Sequence, residues 1–110
     1  MTKSMVMAMA VCVGIAANAA AQDAVAKGEK VYADQKCSMC HSIGDKGNKK
    51  GPLDGVGSKY SADELRQWVV DAKGMTAKTK ATRKPDMKNY ALPKDDVDAL
   101  VAYMLTLNKK

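Results

Sequence analysis

The stretch Cys37-Ser38-Met39-Cys40-His41 constrains this chain more than any other part of it. Two thiols about a helical turn apart, followed at once by an imidazole, point in an exported chain to thioether attachment of haem c. The thiols reach the two vinyl groups while His41 projects under the iron as its proximal ligand. A dithiol of the thioredoxin type wants a strand before it and a long helix opening at the first cysteine. Here a short helix precedes Cys37 and a glycine-rich loop follows His41. Structural zinc needs a fourth ligand, and His41 is the single histidine.

Export is read from the other end of the sequence. Lys3 opens a short basic region, Met5 to Ala21 is a run of apolar and small side chains, and Ala19 and Ala21 satisfy the small-x-small rule for cleavage before Gln22. Residues 1–21 are therefore expected to be a cleaved secretory signal peptide, and residues 22–110 a single domain. The apolar run is near the lower limit for spanning a bilayer and lacks a stop signal, so no stable transmembrane span is expected after processing. Cys12 follows bulky Val11, which does not suit lipoprotein processing, and its loss leaves Cys37 and Cys40 as the cysteines of the exported chain.

A domain this short needs a staple or a cofactor to complete its core. The chain's net charge of +6 falls by one with the loss of Lys3, which favours acidic partners or anionic surfaces. Nucleic acid is disfavoured by export, by the placement of the basic residues in loops and by the lack of a recognisable binding motif.

The hydrophobic periodicity is all-α. Val25, Gly28, Val31 and Tyr32 share a face of a helix over 24–34. A glycine on that face, despite costing about 1 kcal/mol of helix propensity, suggests close approach by another element. Residues 42–59 read as loop. Ser61 and Glu64 form a capping box, and Tyr60 and Leu65 a hydrophobic staple, starting a helix that carries Leu65, Trp68, Val69 and Ala72 and stops at Lys73-Gly74. Residues 75–94 read as irregular. A last helix over 95–107 carries Val97, Leu100, Val101, Met104 and Leu105 on one stripe, with Asp95 and Asp96 at its start and Lys109 and Lys110 after its end. There are no repeats, and no strand is expected.

Without a second histidine, the soft neutral candidates for the sixth iron position are Met75, Met87 and Met104. Met104 belongs to the last apolar stripe, and Met39 is too constrained to cross the ring. Met87 is favoured because Pro85 stiffens its approach, with Met75 as the competing candidate. Ligation by His41 and Met87 leaves no open position for a substrate, so one-electron transfer follows and no catalytic residue is expected. A carbonyl near Pro52 is expected to accept the second ring proton of His41.

Together, Gly28 and Tyr32, the Cys37–His41 motif, Gly51-Pro52-Leu53, Leu65 and Trp68, Met87, and Leu100 and Tyr103 make residues 22–110 resemble a class I bacterial monohaem cytochrome c. The sequence departs from that family's usual pattern at Lys88, where proline follows the methionine, and at Pro93-Lys94. The resemblance implies a small all-α fold of three or more helices wrapped around one covalently attached haem c. It implies that Gly28 lies near Leu100 and Tyr103, that Trp68 places its N–H near a haem propionate, and that an exposed haem edge meets transient partners. The expected protein is a monomeric, soluble periplasmic electron carrier serving acidic redox proteins. The alternatives are a haem subunit of a larger dehydrogenase or oxidase, and a small peroxidase or gas-reactive haem protein.

Overall fold

The computed structural model describes residues 12–108, with side chains from Ala21 onward. Lys3, residues 5–11 of the leader's apolar run, Lys109 and Lys110 lie outside the described residues. Five helices follow in order: α1 (Cys12–Asp34), α2 (Val56–Lys59), α3 (Ala62–Val70), α4 (Ala72–Thr79) and α5 (Lys94–Leu105). Between α1 and α2 lies a two-stranded antiparallel hairpin, β1 (Ser42–Ile43) and β2 (Lys46–Gly47), with Ser42 opposite Gly47 and Ile43 opposite Lys46. Among the described residues no helix is long and apolar enough to cross a membrane.

Several of these elements depart from the periodicity reading, each for a local reason. Helix α1 begins at Cys12, ahead of the expected residue 24, because the alanines of 16–21 are strong helix formers and nothing between them and Ala24 stops the helix. The expected loop 42–59 contains the hairpin and the one-turn α2, both too short to show a period. Ser61 does cap α3: its hydroxyl accepts from the Glu64 amide at 3.2 Å, and its own amide donates to the Glu64 carboxylate at 2.9 Å. That helix stops at Asp71, before Lys73-Gly74, because Asp71 leaves helical geometry and accepts the Gly74 amide at 3.2 Å, capping a new helix. The segment 75–94 is consequently helical at its start, and Met75 is buried inside α4.

The core is built chiefly where α1 crosses α5, with α3 closing one side. Val31 meets a cluster of Leu65, Val69, Val97, Leu100, Val101 and Met104, all buried. A methyl group on Gly28 would run into the Ala99 carbonyl and the Tyr103 Cβ, so the two helix backbones approach as closely as glycine alone permits. The expected neighbourhood of Gly28 is thus present. Beside this crossing the Tyr32 and Tyr103 rings pack edge to face, with centroids 5.9 Å apart. The crossing fixes the exit of α1, and with it the start of the cysteine motif.

Candidate haem attachment site

Lys36 leaves α1 in a left-handed conformation, φ 57° and ψ 39°, turning the chain directly into a single 3-10 turn over Cys37–Met39. The Cys40 and His41 amides both donate to the Cys37 carbonyl, at 3.1 and 2.9 Å, winding the motif into one compact loop. Asn48 holds it from outside: its side-chain amide donates to the Met39 carbonyl at 3.1 Å, and its backbone amide to the His41 carbonyl at 2.9 Å. Both cysteines are half-buried and form no disulfide. Burial is the main cause that pushes the Cys37 thiol pKa up, with a smaller contribution from Cys40, while a backbone hydrogen bond opposes them.

His41 is fixed by the hairpin and the loop behind it. Its Nδ1 donates to the Gly51 carbonyl at 2.9 Å, and the same oxygen accepts the Ser42 amide at 3.1 Å. Ser42, 1% exposed, also bridges to Pro52, and its carbonyl accepts the Leu53 amide at 2.8 Å. That bridge brackets exposed Pro52 and turns the carbonyl before it, rather than Pro52's own, toward the imidazole. With Nδ1 acting as donor, Nε2 keeps its lone pair for a metal. Burial chiefly holds His41 below its ordinary pKa; the Gly51 hydrogen bond opposes this and the Arg83 charge adds to it. The neutral form is the one that ligates iron.

The expected distal side comes from α3, α4 and the run 81–93. Two backbone-anchored contacts pin that run after Met87: the Lys73 amide donates to the Asn89 side chain at 2.9 Å, and the Tyr90 amide to the Val69 carbonyl at 2.9 Å. Met87 is half-buried just before these anchors, whereas Met75 is buried in α4. Tyr90 titrates above its ordinary range, first through burial and then through Cys37 and Cys40. Trp68 is half-buried on α3.

The donor set and two orphaned groups test whether haem suits these residues. The Tyr32 hydroxyl and the Trp68 indole N–H are buried without a hydrogen-bond partner. Tyr32 is pushed up to about 12 by burial, then by Cys37, Tyr103 and Asp54, so its hydroxyl stays a proton donor beside the motif. A buried donor left unpaired is costly, and haem brings two carboxylates as well as the vinyl groups that thiols attack. Among the described residues no three histidine, cysteine, aspartate or glutamate side chains gather to hold a metal ion, so zinc has no ligand set here.

Asn48 and Arg83 were not legible as site residues; Gly51 was, as the residue before Pro52, and Tyr32 carried the signal of the first helix's apolar face but none of its unpaired hydroxyl. The spacing of Cys37, Cys40 and His41 is that of one covalently bound haem c. A family model described as cytochrome c matches residues 25–108. No curated protein and no solved structure matches the chain.

Proposed function

The chain belongs to the cytochrome c family, and from that membership we propose that it is a soluble periplasmic carrier of single electrons whose iron is held between His41 and Met87. It is a haem c-binding helical protein, and members of its family are generally non-catalytic electron carriers. When bound, the haem supplies a one-electron couple at its iron.

The chain's own residues do the rest. Cys37 and Cys40 tether the porphyrin through thioethers, which fixes its orientation against the compact turn. His41 offers Nε2 because Gly51 holds the proton on Nδ1, and this pairing is the observation that carries the proposal. Met87, on the pinned run, would supply the second protein ligand and so exclude water and substrate, and a thioether ligand would favour the reduced state. Trp68 and Tyr32, whose buried N–H and O–H have no partner within the protein, would donate hydrogen bonds to the haem carboxylates. The core around Val31, Leu100 and Met104 is the apolar body against which the haem would pack.

Removal of residues 1–21 delivers the domain to the periplasm, and Lys78, Lys80, Lys84 and Lys88, all exposed, flank the Met87 run and meet acidic redox proteins. Absorption spectra of the oxidised and reduced exported protein, with denaturing-gel haem staining, test the assignment. Covalent haem, a sulfur-to-iron charge-transfer band and failure of the reduced form to bind carbon monoxide rapidly are the expected results. A reduced protein that binds carbon monoxide at once has an open sixth position and is not such a carrier.

A further inference from the structure

Arg83 stands out among the basic residues of its segment because it is half-buried and, among the described residues, in no ion pair. Lys84 next to it is paired with Asp86 at 3.0 Å, and Arg66 with Asp98 at 2.6 Å. The Arg83 guanidinium lies over Gly51, in the space a side chain at that position would take, and the Cys40 carbonyl borders the same space. Gly51 is the residue whose carbonyl orients His41. Two features therefore converge: an uncompensated cation, and a glycine that leaves room for it directly behind the imidazole's hydrogen-bond acceptor.

We propose that Arg83 is a positioning residue that raises the reduction potential of the bound haem, by holding an unpaired positive charge over the α-carbon of Gly51, the residue whose carbonyl orients His41. The proposal rests on the haem and His41 assignments above. One electron, delivered by a redox partner, lowers the net charge of the site by one, and none of these groups takes up or releases a proton. A fixed cation packed on Gly51, beside the peptide that orients His41, favours the reduced form.

The test is the midpoint potential of the haem-loaded protein, measured by spectroelectrochemical titration, for the wild type, Arg83→Gln and Arg83→Lys. At fixed applied potential, Arg83→Gln should move the reduced-to-oxidised ratio roughly tenfold toward oxidised, equivalent to about 59 mV for one electron. Arg83→Lys should recover most of this, and Lys50→Gln, which removes an exposed cation, should change it far less. If Arg83→Gln folds poorly, Arg83→Met is the second neutral variant. An unmoved midpoint in a neutral variant with a native absorption spectrum overturns the role of Arg83 alone. So does a Lys variant that falls as far as Gln, since shape rather than charge would then matter. A wild-type protein without covalent haem would end both this proposal and the function it rests on.

Discussion

His41 and Gly51 are joined by a 2.9 Å hydrogen bond whose accepting carbonyl is itself held by the Ser42 amide. The imidazole is therefore oriented by backbone that cannot swing away without opening the Ser42 to Pro52 bridge. A Cβ at Gly51 collides with Arg83 and with the fixed Cys40 carbonyl, so Gly51→Ala must displace this layer. We expect a loss of about 1–3 kcal/mol on thermal or chemical unfolding, the usual cost of overpacking. The same variant should show faster hydrogen exchange at His41 Nδ1 by NMR; unchanged exchange would disconnect Gly51 from the imidazole.

Gly28 is the corresponding test of the helix crossing. On an isolated helix, Gly28→Ala gains about 1 kcal/mol of propensity. Here the methyl meets the Ala99 carbonyl and Tyr103 Cβ, and α1 must retreat from α5. Net destabilisation is expected, with the denaturant midpoint falling; a midpoint that rises would show that the helices separate at little cost.

The two methionines separate by different readouts. Met87→Ala should abolish the sulfur-to-iron charge-transfer band of the oxidised protein. Met75→Ala should keep that band but lose about 2–5 kcal/mol of stability, because Met75 is 8% exposed and leaves a cavity in α4's packing. The opposite pattern would transfer the ligand role to Met75.

Asp98 links α3 to α5 by accepting from Lys94 and Arg66, at 2.8 and 2.6 Å, and these hydrogen bonds hold its carboxyl below the ordinary range. A lowered carboxyl pKa adds stability above the unfolded value, and that increment disappears as pH falls through the folded value. Asp98→Asn should therefore lower the melting temperature slightly at pH 7. The gap from wild type should close as the solution is acidified below the carboxylate range; a gap independent of pH would point to packing instead of charge.

Electron exchange with an acidic redox protein should slow as salt is added, since Lys78, Lys80, Lys84 and Lys88 act on encounter across solvent. Stopped-flow rates at low and high ionic strength measure it. Removing Lys78 and Lys80 together should flatten the dependence. Lys88 also stacks on the Tyr90 ring at 4.9 Å, so its replacement would mix steering with packing.

How much of this was legible in the residues depended on the kind of signal each carried. The attachment motif was complete in itself because thiol and imidazole chemistry is local, and Ser61 with Glu64 announced α3 for the same reason. Gly28 was legible because a glycine on an apolar helix face conflicts with propensity. The break at Asp71 was missed: an aspartate three residues before Gly74 reads as ordinary helix until its carboxylate is seen capping the next one. The hairpin and α2 are shorter than any period that could reveal them. Arg83 is one cation among several lysines in its segment, and only the folded chain brings it over Gly51, far away in sequence.

The meeting of Gly28 with Ala99 and Tyr103 also sets an order of assembly. Helix α5 is synthesised long after Cys37 and Cys40, so a chain emerging from a ribosome or a secretion channel presents both thiols before the partner that closes over α1 exists. Thioether formation at those thiols would then come before the docking of α5, which would close the crossing with the tether already made.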